Sequence, residues 1–290
     1  MHTLFEKGCL VQLSASVWGA TRKIQSSHTA KMGAAPEWLT ANKKLVDPDA
    51  LKPIRKTVNA ARSYLDRVSL PFPIPTMVFV PKEMITTIDE ELNRFKSSFS
   101  EKVEDFQAEY HQLREMARIH LGALFNDTDY PADINSRFSF AWRFVTLDVP
   151  NGNTRLLAPE VYEREKEKFI QTMEEAREMA IQALREEFAN LVTRITNRFE
   201  KDSAGKRKIF KNGTVNNFYE YFETFKQRNI FNDTALSELV EQAQSLLSGH
   251  SAESIRSNEI LKEDIRSGME TIEQGLEELM ELPRRRILMN

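Results

Sequence analysis

Hydrophobic positions follow two periods along the chain. In LVQLSASVW, residues 10–18, Val11, Leu13, Ala15 and Val17 alternate with Gln12, Ser14 and Ser16, the pattern of a half-buried strand. In RFSFAWRFVTLDV, residues 137–149, Phe138, Phe140, Trp142 and Phe144 fall on one face, with Arg137, Ser139, Ala141 and Arg143 on the other. Two isolated strands are marginal in water. The segments near 10–18 and 137–149 are therefore expected to pair antiparallel, with one face packed on helices. Asn151-Gly152-Asn153 follows as a turn signal, and Arg155–Leu157 is a candidate third strand.

Elsewhere the period is helical. Asp47-Pro48 supplies an N-cap and a proline at the first helical position, opening a helix to about Leu70. Pro71, Pro73 and Pro75 then predict an extended, stiff linker. Pro81 opens a helix whose stripe runs from Ile85, Ile88 and Leu92 through Phe99, Phe106 and Leu113 to Leu124, at spacings of three and four. Over 81–126 it would be about 70 Å long. A second helix of about 65 Å begins near Pro159, with Met173, Ala180, Leu184, Leu191 and Ile195 on its stripe.

Two amphipathic helices of similar length with a β segment between them predict a long antiparallel coiled-coil hairpin. Further helices are expected near 214–229, 233–248 and 252–282, with Asp233 and Ser251 as N-caps and Gly249 as a C-cap. The expected fold class is mainly α, with a small antiparallel β element and a C-terminal helical segment. The expected divisions are 1–80, 81–202 (interrupted by β segment 137–157) and 203–290.

Composition narrows the function classes. The chain has 290 residues, 29% of them charged, with only 10 glycines and a net charge of −3. These values favour long helices and exclude a globally basic nucleic-acid binder. One cysteine, Cys9, excludes an internal disulfide and a multi-cysteine zinc site. The N-terminal stretch lacks the basic start and unbroken apolar run of a signal peptide, and no apolar run approaches the ~20 residues of a membrane span. A cytoplasmic location is expected.

No catalytic pattern keeps its required spacing. Gly205-Lys206 lacks the upstream glycine of a phosphate loop. His111 and His120 are nine residues apart, on opposite sides of a helix, and neither follows a glutamate at the spacing of a di-iron bundle. Carboxylate pairs such as Glu101/Asp105 and Glu174/Glu178 belong to a solvated helix surface. No catalytic, metal or cofactor residues are expected.

Charge is distributed unevenly. Residues 20–70 carry ten Lys and Arg against four Asp and Glu, and residues 203–228 carry six against two. The last helix is acidic, with nine Asp and Glu against three Lys and Arg between Ser251 and Pro283. Basic patches favour anionic partners. Candidate partner-binding residues are Trp18, Arg22, Lys23, Lys31, Phe138, Phe140, Trp142 and Phe144. Candidates for nucleic acid are Lys206, Arg207, Lys208 and Lys211.

The segments Leu10–Lys23 (LVQLSASVWGATRK) and Ser136–Pro150 (SRFSFAWRFVTLDVP), each followed by a long helix, resemble a bacterial and phage domain family of unknown function. Members of that family are often encoded beside a MoxR-like or cobaltochelatase-like AAA+ ATPase and a von Willebrand A protein. The resemblance implies an accessory subunit or adaptor and supplies no catalytic residues. The leading expectation is a non-enzymatic adaptor or scaffold acting with an AAA+ ATPase and able to homo-oligomerise. The first alternative is a nucleic-acid-binding structural protein. The second, a helical pore-former or membrane remodeller, lacks an apolar segment of adequate length.

Overall fold

A computed structural model describes residues 3–24, 38–147, 158–199 and 212–281. Its strands are β1 Gly8–Ser16, β2 Thr21–Lys23, β3 Asn42–Lys44, β4 Leu70–Pro71, β5 Met77–Pro81 and β6 Ser139–Val145. Its α-helices are α1 Thr3–Lys7, α2 Lys52–Val68, α3 Ile85–Leu121, α4 Pro159–Phe199, α5 Asn212–Arg228, α6 Thr234–Leu247, α7 Ala252–Ser257 and α8 Glu259–Glu281. The chain is thus mainly helical with small antiparallel sheet elements. It divides into two compact units: a first of Leu10–Arg67 with Ile85–Val145, and a second of Met1–Cys9, Val68–Met84 and Thr146–Asn290.

In the first unit β1 and β6 pair antiparallel from Leu10↔Val145 to Ser16↔Ser139, which is the pairing that the alternation predicts. The aromatic face of β6 turns onto α3. Phe140 lies 5.5 Å from Phe99 and Phe138 lies 5.6 Å from Phe106 between ring centroids. Trp142 donates its indole N–H to Asp89 Oδ1 at 2.8 Å. Ile54, Val58 and Ala61 of α2 join Phe99, Phe106, Leu113 and Ala117 of α3 in one core. The start of this helical segment is as the sequence predicts: Asp47 accepts from the Asp49 amide at 2.9 Å, and Pro48 opens a 3-10 turn that leads into α2. Gly122, at φ +49°, ends α3 five residues before the expected end near 126.

In the second unit α4 packs on α5 and α8, α6 packs on α8, and α5 packs on α6 and α7. Ala176, Ala180, Leu184, Phe188, Leu191 and Ile195 are its buried stripe. Of the stripes assigned by heptad spacing to one coiled-coil seam, that of α3 from Phe99 to Ala117 is buried with α2 and β6, and α4 packs on α5 and α8. The prolines at 71, 73 and 75 do not form the expected straight linker either. Leu70 and Phe72 are buried, the chain turns at Thr76 (φ +67°), and β4 pairs back on β5. Gly8 closes on this pair so tightly that a Cβ there would stand 2.1 Å from the Val80 carbonyl oxygen. Asp233 and Ser251 cap their helices as expected, accepting from the Leu236 amide at 3.2 Å and the Ser254 amide at 3.1 Å. The single helix expected over 252–282 breaks at Asn258, whose side chain caps α8.

A buried ion pair ties α5 to α4. Arg228, only 2% exposed, donates to Glu187 through Nη1 at 2.6 Å and Nη2 at 3.2 Å, and lies over the Tyr221 ring. Beside it Arg185 donates to Asp233 at 2.7 Å and to the Leu279 carbonyl at 2.9 Å. The Tyr221 hydroxyl donates to the Leu184 carbonyl, and burial pushes its pKa well above the usual tyrosine value.

Candidate interaction surface

After β1 the chain passes Trp18 and turns at Ala20, a buried residue held at φ +50°. It then forms a two-stranded ribbon. β2 and β3 pair as Thr21↔Lys44, Arg22↔Lys43 and Lys23↔Asn42. The ladder is extended at both ends, by Leu45 N–H to Ala20 O and by Ile24 N–H to Ala41 O, each at 2.8 Å. Because side chains alternate, Arg22 and Lys43 share one face, while Lys23 and Lys44 point to the other.

So short a ribbon is not stable alone. Asp129 of the segment after α3 holds it, and Asp127 ties that segment to α3. Asp129 receives Lys43 Nζ at 2.7 Å and lies 3.6 Å from Arg22 Nε. The Lys43 ammonium, mostly buried, also donates to the Leu124 carbonyl. Asp127 accepts from Arg114 at 2.6 Å and from Arg118 at 3.1 Å. Hydrogen bonding from Arg114 is the largest cause that lowers its carboxyl below the ordinary aspartate pKa. The two guanidinium groups lie over the Tyr130 and Phe125 rings, which stack at 5.2 Å. Tyr130 donates its hydroxyl to the Leu45 carbonyl at 2.7 Å, and burial pushes its pKa up to about 12. Asn126 caps the turn by accepting from the Thr128 amide at 3.0 Å.

The candidate residues are distributed unevenly about this surface. Trp18 is half-buried and packs edge-on against Phe106 and Tyr110; its carbonyl accepts from Arg55 of α2. Phe138, Phe140 and Trp142 contribute to the core, whereas Phe144 is 38% exposed. Arg22 and Lys23 are exposed on the ribbon. Lys31, Lys206, Arg207, Lys208 and Lys211 lie outside the described residues, as does the candidate strand at 155–157.

Sequence reasoning missed Trp38, Lys43, Lys44, Arg114, Arg118, Asp127 and Asp129. The Asp-Thr-Asp triplet directly after a capping Asn was the available signal for the last two. Among the described residues no group of His, Cys, Asp and Glu could hold a metal ion, and no helix is long and apolar enough to cross a membrane. Cys9 is buried, and burial raises its pKa. An open hollow of about 680 Å³ at the facing ends of α4 and α5 is lined, among the described residues, by Arg194, Arg198, Thr214 and Asn217 with Leu191, Asn197 and Gly213.

No curated protein and no solved structure matches the chain. A family model does, over residues 5–206, a span that holds the whole first unit and α4 and stops short of α5 to α8. That match covers more than two-thirds of the sequence, and the chain belongs to the family described as "Protein of unknown function (DUF3150)".

Proposed function

We propose that this protein is a non-enzymatic adaptor or scaffold subunit that docks through the β2–β3 ribbon. The observation that carries the reading is the clasp. Asp129 and Tyr130 hold a ribbon of three residue pairs that has little stability of its own, and Asp127 ties the segment that carries them to Arg114 and Arg118 of α3. The clasp immobilises a surface that the core does not require, and rigid presentation lowers the ordering cost of binding. The aromatic face of β6 is largely used for packing, so docking falls to the exposed cations Arg22, Lys23 and Lys44. An AAA+ ATPase is the partner class that the family resemblance brings forward, with a von Willebrand A protein as a further member of the assembly.

The test is co-purification of the tagged full chain from its native lysate, with and without ATP, for the wild type and for Lys23→Gln/Lys44→Gln. The reading expects an AAA+ ATPase whose recovery depends on nucleotide and drops at least several-fold in the variant. Recovery that is identical for both proteins, or the absence of any such ATPase, rejects it.

A further inference from the structure

The ribbon carries a second feature beside its charge. Trp38 stands three residues before Ala41, the residue whose carbonyl closes the open end of the ladder, and its indole is 90% exposed. No ring or cation packs on it among the described residues. Trp18 and Trp142, by contrast, are wedged against other rings. An indole left in water at the end of a cationic ribbon is a large apolar face without a ring or cation partner among the described residues.

The cations of the ribbon divide by face. Arg22 and Lys43 are tied to Asp129, on one face. Lys23 and Lys44 are exposed on the opposite face, and among the described residues no carboxylate lies within ion-pair reach of either. Arg55 donates to the Trp18 carbonyl, which brings the start of α2 close to the root of the ribbon. Lys56 and Arg62 are exposed on the same helix.

We propose that the β2–β3 ribbon binds single-stranded nucleic acid, with Lys23 and Lys44 on backbone phosphates and the Trp38 indole stacked on an unpaired base. Two features select this occupant. A polyphosphate backbone matches unneutralised lysines along an extended ribbon. A nucleobase supplies the flat π-face that an exposed indole lacks, and bases offer that face only when they are not stacked in a duplex. A purely acidic peptide would satisfy the lysines and offer the indole no π-face. The inference rests on the ribbon being the docking surface, and does not depend on the ATPase.

The test uses the full chain and its own fluorescence. Trp38 is the exposed one of three tryptophans, so it dominates the red edge of the emission. Titration with oligo(dT) of about 15 nucleotides at low salt should quench that component. Trp38→Leu should remove the quench while leaving the thermal transition unchanged, because the side chain is in solvent. In Lys23→Gln/Lys44→Gln the slope of log K against log salt should become shallower by about 1.4, at roughly 0.7 for each phosphate no longer neutralised.

Absence of quenching at low salt overturns the proposal, as does quenching that survives in Trp38→Leu. A duplex of equal length competing as well as the single strand also overturns it. Poly-glutamate displacing the strand at equal charge concentration would instead assign the ribbon to an acidic protein. The two readings fail separately. Ribbon variants that lose the ATPase in co-purification, with no quenching by oligo(dT), reject nucleic acid alone. Quenching with unaltered ATPase recovery rejects adaptor docking through the ribbon alone.

Discussion

The Arg228–Glu187 pair gives a sharp test of what holds the second unit together. Arg228 is only 2% exposed, and Glu187 answers both terminal nitrogens of its guanidinium. In Glu187→Ala the guanidinium stays in place without its counter-charge. Removing one partner of a fully buried pair costs about 3–5 kcal/mol. The Glu187 side chain is 34% exposed, so water can enter and the expected cost falls to about 2–3 kcal/mol. For a unit of this size that lowers Tm by about 5–10 °C.

Arg228→Met removes the charge and leaves an apolar side chain over Tyr221, so it should cost under about 1 kcal/mol. The double variant should then resemble Arg228→Met rather than the sum of the two single changes.

All three tryptophans, Trp18, Trp38 and Trp142, belong to the first unit. Far-UV circular dichroism sees the helices of both units. The loss should appear as a shift of the circular dichroism transition, and comparison with the tryptophan emission transition shows how far the first unit follows it. Equal costs for the two single variants, with simple additivity in the double, would refute the claim that an unpaired buried charge is the cause.

Three further outcomes follow from the geometry. Gly8→Ala drives a methyl into the Val80 carbonyl and the Phe79 ring and should destabilise the second unit by about 2–3 kcal/mol, read by urea unfolding followed by circular dichroism. Asp127 has a lowered folded pKa, so its contribution is complete above the ordinary aspartate value of 3.8 and is lost as pH falls through the lowered value. The stability difference between wild type and Asp127→Asn in the tryptophan-reported transition should accordingly close in that acid window. Tyr130 titrates near 12 when folded against 10 in the free chain, so its contribution is present below pH 10 and disappears between 10 and 12. Tyr130→Phe should cost about 1 kcal/mol at neutral pH and remove one late-titrating group from the ultraviolet phenolate curve.

The strand pair β1–β6 was legible because a half-buried strand writes a two-residue period whose phase also fixes which face is buried. The helix caps at Asp47, Asp233 and Ser251 were legible because capping is decided within four residues. The partners of the long helices were not. A heptad stripe says that a face will be buried and is silent on what covers it; α2 and β6 cover that of α3 from Phe99 to Ala117, and α4 packs on α5 and α8. The prolines misled for a local reason. Pro71 tolerates an edge position in a strand, and the burial of Leu70, Phe72 and Phe79 outweighs the preference for a straight segment. The clasp was hidden because its pairs, such as Lys43 with Asp129, are distant in sequence, and each residue alone looks like an ordinary surface charge.

The division into two units has a temporal consequence. The chain leaves the second unit at residue 9, returns for 68–84, leaves again, and comes back only after 145. During synthesis Leu70, Phe72 and Phe79 emerge about a hundred residues before Ala176 and Ala180 of α4, which line the same small hollow with them. At ribosomal speed that is roughly 5–20 s in which a short apolar hairpin lacks the cover of α4. The first unit can close as soon as residue 145 is out. Nascent-chain chaperones would meet this protein at the 68–84 hairpin, and no single cut in the chain would separate the two units, because 68–84 of the second lies within the span of the first.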